Sequence, residues 1–305
     1  MLKRMPPRFW GKSDGEQRPT VPRPTLSGFD TAFDDARWNA AALDAPLVQV
    51  PPGEYSGGYR VVRRAVRTTE LFGVPYQALR LIDCRALLMP DGTLWMSDVP
   101  QERMMMANNA DRSFGSVLVG GLGLAVYPQY LGGSATHLTI VERSATVVQI
   151  AEPVLREALE QRVDALPCDV IVASIETYLT TNDGRTFDTV FLDTWDRLDP
   201  LSLPEINVVR DLARRRLRPG GRVLAWGYRW MVRMFLTACE PLLTTPLAHR
   251  HRWLDALQKS NPAAYPLLAA ATRQLDLHGD LNIEQARRYL DDWICMVVPG
   301  VPPSA

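Results

Sequence analysis

The chain has 305 residues, 34 Lys+Arg against 34 Asp+Glu, and an apolar fraction of 46%. That apolar content builds a sizeable core and excludes a wholly disordered chain, and the length suits one large domain with additions or two domains. A zero balance argues against a surface built throughout to grip nucleic acid, which needs excess cation to displace counterions, although it leaves room for a local basic patch.

Residues 1–53 are rich in Pro, Gly and charge and read as an extended arm. Trp10, Phe29, Phe33 and Trp38 are its candidate anchors. Within it, FDTAFDDARWNAAAL predicts a short helix capped by Asp30 or Thr31, with Phe33, Ala36 and Ala40 at helical spacing.

Residues 54–113 read as a small β-rich domain of short strands. ALRLIDCRALLMPDGTLWMSD gives two runs around Pro90-Asp91-Gly92, a hairpin signal. MMMANNA reads as helix, with Met104, Met105 and Met106 as core-filling residues.

Residues 114–245 carry the strand series SVLVG, LTIVE, CDVIVA, FDTVFLD and GRVLAWG. Helical patterns intervene: Val147, Ile150, Val154, Leu155 and Ala158 in one, and Ile206, Val209, Leu212, Ala213 and Leu217 in another. Apolar runs alternating with amphipathic helices predict βαβ units and a doubly wound α/β domain with a parallel sheet buried on both faces. An Arg-dense helix over 210–218 reads as a solvated face or a docking face. Residues 246–305 form a helical extension, with WICMVVP (293–299) either a last strand or the end of a helix.

Several chemistries are excluded at this stage. Lys3, Lys12 and Lys259 are the only lysines, so there is neither a core Schiff-base lysine nor a P-loop lysine after a glycine turn. Cys84, Cys168, Cys239 and Cys295 form no C-x-x-C pair, and His249 and His251 fall on different faces of a helix. No metal is therefore expected, and reduced thiols in a cytoplasmic protein are the reading. No apolar run reaches the roughly 20 residues that cross a bilayer, so no membrane partner is expected.

Ligands of open α/β sheets bind at the carboxyl ends of the strands, where the strand order switches. The first such loop, VGGLGLAVYP, holds Gly120, Gly121 and Gly123, which permit a tight turn and close backbone approach. Glu142 closes the second strand about 20 residues later, where an acid can accept ribose hydroxyls. The third loop places Ser174, Ile175 and Glu176 beside a prospective adenine, or else Glu176 opens a helix. The fourth, LDTWDRLDP, ends a buried strand at Asp193, with Trp195, Asp196 and Asp199 nearby. A carboxylate so placed suits a general base, while Asp199 suits a helix cap. LRPGGRVLAWG then reads as a helix end, a Pro-Gly-Gly turn and the fifth strand.

Together these features resemble class I S-adenosylmethionine-dependent methyltransferases. Over about residues 76–240 the order is most similar to the spermidine synthase branch, in which a hairpin domain precedes a Rossmann-like core. The resemblance implies S-adenosylmethionine as cofactor: Gly120, Gly121 and Gly123 at its methionine end, Glu142 on the ribose, Ile175 and Glu176 at the adenine, and Asp193 and Asp196 as the catalytic acids. Aminopropyltransferases carry G-G-G-D-G-G where this chain has GGLGLA, and an acidic-aromatic stretch where it has VPQERMMMA. Methyl transfer to a small-molecule or peptide-like acceptor is therefore the leading expectation, with Trp195, Tyr127 and Trp226 shaping the pocket. The alternatives are aminopropyl transfer and a non-catalytic, partner-binding protein. By the same analogy a homodimer is expected; nucleic acid is not.

Overall fold

The computed structural model describes residue 43 and residues 45–71, 74–181, 184–279 and 281–299. The expected arm helix and its aromatic anchors lie outside the described residues, apart from Leu43. The chain divides into two compact units. Of the described residues, one takes in those up to Asp196 and Leu212–Trp226; the other takes in Arg197–Asp211 and those from Gly227 on.

The first unit holds two sheets. The antiparallel one runs β1 (Gly53–Glu54), β2 (Arg60–Leu71), β3 (Val74–Leu88) and β4 (Leu94–Ser97) in that order. Its two central strands are longer than the short ones expected, and a register shift between Val66 and Thr68 interrupts their pairing. The predicted β3–β4 turn is present: Met89 N–H donates to Thr93 O at 2.8 Å, Asp91 Oδ1 accepts from Thr93 N–H, and Gly92 takes a φ of 81°. Helix α1 (Pro100–Asp111) follows, with Met104, Met105 and Met106 buried as expected.

The second sheet is parallel, in the order β7-β6-β5-β8-β9, from β5 (Gly115–Gly120), β6 (Ala135–Glu142), β7 (Cys168–Val172), β8 (Phe187–Leu192) and β9 (Leu217–Ala225). Val117, Leu118, Leu138, Ile140, Val190 and Leu192 are essentially unexposed, as strands covered on both faces require. Helices α2 (Val126–Tyr130), α3 (Ala145–Glu160) and α4 (Ile175–Thr180) lie between successive strands. Ser144 caps α3 by accepting from Val147 N–H, and Val147, Ile150, Val154 and Leu155 are its buried stripe. The chain winds from β5 out to β7, then returns to β8 on the other side of β5. This is a Rossmann-like doubly wound sheet whose order switches beside β5.

The fifth strand departs from expectation. Leu217 belongs to β9 rather than to a helix, and Pro219, Gly220 and Gly221 form an out-of-register bulge inside the strand, not a turn before it. Helix α5 (Leu203–Arg214) ends earlier than the Arg-dense helix read over 210–218. Arg216 is no part of a solvated face. It is 8% exposed, and its guanidinium donates to the carbonyls of Arg185, Thr181 and Leu179.

The second unit contains α6 (Tyr228–Thr244), α7 (Leu247–Ser260), α8 (Tyr265–His278) and α9 (Ile283–Ile294). Asp199 caps a 3₁₀ turn at Pro200–Ser202, as its spacing suggested. Residues 293–299 begin as the end of α9, which stops at Ile294, and Val298 then forms an isolated β-bridge. Buried Asn207 ties this unit together: its amide donates to Ile294 O and Val297 O, both at 2.8 Å, and its Oδ1 accepts from Tyr228 Oη at 2.6 Å. Asn207→Ala should lower stability by about 2 kcal/mol in urea unfolding, because it orphans buried carbonyls and a hydroxyl.

The four cysteines are unpaired. Burial pushes the Cys84 thiol up to about 12, the Cys168 thiol up to about 11, and the fully buried Cys239 thiol higher still. Thiols so placed stay protonated and behave as small apolar side chains. Among the described residues, no helix is long and apolar enough to cross a membrane, and no group of three His, Cys, Asp or Glu could hold a metal.

Candidate functional site

The loops that leave the parallel strands start at a common level. Gly121 N–H donates to Val141 O, Asp193 N–H to Gly120 O, Trp226 N–H to Leu192 O and Ala173 N–H to Glu142 O. The residues following β5, β6, β7, β8 and β9 therefore surround one space at the switch in strand order. A cavity of about 320 Å³ occupies it. It is lined by Gly121, Gly123, Glu142, Ile175, Glu176, Asp193, Trp195, Asp196, Tyr127 and Trp226, all of which the sequence singled out.

Gly120 does not line it. A Cβ there would meet Ile175 Cγ1 at 2.9 Å, so this glycine lets the Ile175 side chain close over β5. Gly121 and Gly123 take φ values of 97° and 58°, a region that favours glycine. Ala125 shares it at 57°, an uncommon conformation for a side-chain-bearing residue, just before α2.

Glu142 is 6% exposed, and both its oxygens are engaged. Oε2 accepts from Leu122 N–H at 3.0 Å and Oε1 from Ser144 N–H at 2.8 Å. It thus fastens the glycine loop to the end of β6. A carboxylate has about four lone-pair sites, so each oxygen keeps capacity for a ligand hydroxyl. Ser174 caps α4 through Thr177 N–H, which places Glu176 both in the first helical turn and on the cavity wall. The two readings of Glu176 are compatible.

Tyr127 is less available than expected. Its ring stacks on Phe191 with centroids 4.1 Å apart, and its hydroxyl shares a 2.6 Å hydrogen bond with Ser113 Oγ. Burial pushes that phenol well above its ordinary range. The ring can shape the cavity, but the hydroxyl is committed elsewhere. Trp195 and Trp226 face each other at 6.4 Å.

The hairpin and α1 contribute a further wall, whose residues the sequence did not single out as lining. Trp95, Met96, Ser97, Glu102 and Met106 all line the cavity. Glu102 Oε2 accepts from Trp226 Nε1–H at 2.8 Å, joining the first turn of α1 to the end of β9. The Arg143 guanidinium lies over the Trp95 ring at 5.4 Å. Two buried polar atoms on lining residues, Trp195 Nε1 and Ser97 Oγ, have no hydrogen-bond partner among the described residues. The signal that could have found Glu102 is its position in the first turn after a proline, where an acid is favoured and points past the helix end.

The sequence matches no protein-family model and none of the curated proteins compared with it. The solved structures it is similar to include three methyltransferases. One is SAM-bound CalS10, an amino pentose methyltransferase from Micromonospora echinaspora, at 18% identity over 39% of this chain and 48% of that chain, with a TM-score of 0.28. The second is the N-methyltransferase NodS from Bradyrhizobium japonicum, at 15% identity over 42% and 68%, with a TM-score of 0.30. The third is a SAM-dependent methyltransferase from Agrobacterium tumefaciens, at 16% identity over 47% and 49%, with a TM-score of 0.32. The chain spans about half the length of the first and third of these.

Proposed function

We propose that the chain is an S-adenosylmethionine-dependent methyltransferase acting on a small-molecule or peptide-like acceptor, in the cytoplasm and as a homodimer. The observation that carries this is the convergence, in one cavity at the strand-order switch, of a glycine turn, a strand-end glutamate and a strand-end aspartate.

The residues present fit the cofactor. A Cβ on Gly123 would have only Met96 Sδ nearby, at 3.6 Å, so this stretch of backbone is open to a ligand. Gly121 and Gly123 would hold the methionine end, Glu142 the ribose, and Ile175 with Glu176 the adenine. When bound, S-adenosylmethionine supplies a methyl group already activated by a sulfonium. The protein's own task is then to align the acceptor and take up a proton. In this reading Asp193 would take the proton and Asp196 would orient the acceptor, while Trp195, Trp226 and the Tyr127 ring would exclude water.

Calorimetry tests this reading. S-adenosylmethionine and S-adenosylhomocysteine should both bind at micromolar concentration, and Glu142→Ala should weaken both by at least about tenfold through lost charge-assisted hydrogen bonds. Failure of either compound to bind would sink the reading. Aminopropyl transfer remains the second reading, because Asp193 and Asp196 of D-T-W-D both line the cavity. It requires decarboxylated S-adenosylmethionine to bind more tightly than the carboxylated form.

A further inference from the structure

We propose that the outer edge of β2 is a docking surface for a single-stranded nucleic acid, gripped by its phosphodiester backbone; this stands apart from the methyl-transfer reading above. The zero net charge of the whole chain hides a local excess of cation. From Arg60 to Leu88 the sequence has six arginines, Arg60, Arg63, Arg64, Arg67, Arg80 and Arg85, against Glu70 and Asp83.

The position of the strand makes four of these cations accessible together. In the order β1-β2-β3-β4, β1 pairs only with Arg60 and Val61, so from Val62 on no described strand covers the outer edge of β2. At about 3.4 Å per residue, Arg60–Arg67 runs roughly 24 Å along it. Successive side chains of a strand point to opposite faces, so Arg63 and Arg64 flank the edge from both sides. A flexible backbone laid along this edge has guanidinium groups on either hand.

Countercharge is scarce there. The side chains of Arg60, Arg64 and Arg67 are exposed and take part in no ion pair among the described residues. Glu54 stands opposite Arg60 in register, and no ion pair joins them. Arg63, with its side chain 65% exposed, shares Asp83 Oδ1 with Arg85, both at 2.8 Å. One carboxylate therefore answers two guanidinium groups.

A guanidinium matches a phosphate with two parallel N–H donors, and phosphates recur at every nucleotide. Like charges along an open edge also keep a second strand from pairing with it. That role needs no ligand, so the two are separated by binding. A bilayer suits the edge less well. Interfacial binding draws on buried apolar area, and Leu81, at 63%, is the exposed large apolar side chain among the described residues of β2 and β3.

Fluorescence anisotropy on the full chain tests the proposal with labelled oligothymidylate and oligouridylate of about 20 nucleotides. At about 25 mM salt either strand should bind, and the tighter of the two names DNA or RNA as the source. Fourfold more salt should weaken binding about fiftyfold, as about four phosphate contacts with a single strand require. Replacing Arg60, Arg64 and Arg67 together by Gln should reduce that factor to about threefold, and replacing them by Lys should restore it. A control that removes three exposed cations elsewhere, Arg252→Gln with Lys259→Gln and Arg273→Gln, should leave the factor unchanged. Absence of binding by both strands, an undiminished salt dependence in the Gln variant or an equal loss in the control would overturn the proposal. So would tighter binding to phosphatidylserine vesicles or to polyglutamate than to either strand.

Discussion

Alanine at position 121 should abolish S-adenosylmethionine binding, weakening it more than about a hundredfold, and destabilise the fold by about 2–5 kcal/mol. The reason is backbone against backbone. A Cβ on Gly121 would lie 2.3 Å from the carbonyl oxygen of Asp193 and 3.2 Å from its carbon. No rotamer change relieves that contact, and the peptide cannot drift. Gly121 N–H is bonded to Val141 O, and Asp193 N–H is bonded to Gly120 O. The φ of 97° adds strain for any L side chain. Relief must come from separating the loop after β5 from the loop after β8, which pulls Asp193 out of the cavity.

Gly123 provides the control. With a φ of 58° and nothing closer than Met96 Sδ at 3.6 Å, Gly123→Ala should cost only about 1 kcal/mol of stability. Its methyl group enters the ligand space, so binding should still weaken. Calorimetry paired with denaturant unfolding separates the two variants. Wild-type affinity in Gly121→Ala would mean that the ligand does not depend on this turn.

The same site shows what could be read from residues alone. The parallel strands were legible because strands covered on both faces are almost continuously apolar, as in SVLVG and LTIVE. Once they are placed, their carboxyl ends follow, and with them Gly121, Glu142 and Asp193. Gly120 falls outside the lining; a glycine at a strand end serves packing or ligand equally well. Only the Ile175 side chain lying across it distinguishes the two.

Glu102 was hidden for a different reason. Helix α1 buries Arg103 together with Met104, Met105 and Met106, so no apolar stripe marks an inner face from which to orient it. Its partner Trp226 is 124 residues away. Arg216 was misread because a run of arginines looks solvated, and the carbonyls that satisfy it belong to a loop brought near only by the β8–β9 pairing. The Pro-Gly-Gly bulge misled in the same way: turn chemistry signals a bend, and a bulge is a bend that keeps the strand going.

The largest loss of stability should follow from Asp98→Ala, at about 3–5 kcal/mol. Asp98 is 2% exposed and Arg103 is 4% exposed, and their side chains meet at 2.8 Å. Asp98 Oδ2 also accepts from Gln49 Nε2 at 2.7 Å, and Oδ1 accepts from the backbone N–H of Arg85. Arg103 in turn donates from Nε to Asp98 O at 2.8 Å and from Nη2 to Asp83 O. Removing the carboxylate leaves a buried guanidinium without its countercharge and two further donors unanswered. That penalty, rather than the intrinsic worth of the pair, sets the magnitude. Replacing both members, as in Asp98→Leu with Arg103→Met, should recover most of the loss, because neither charge then has to be desolvated. Urea unfolding of the two single variants and the double variant measures this; additive losses would show that the pair is not coupled. The consequence reaches the cavity, since Glu102 precedes Arg103 in the first turn of α1. Releasing that turn should loosen Glu102 from its hydrogen bond with Trp226.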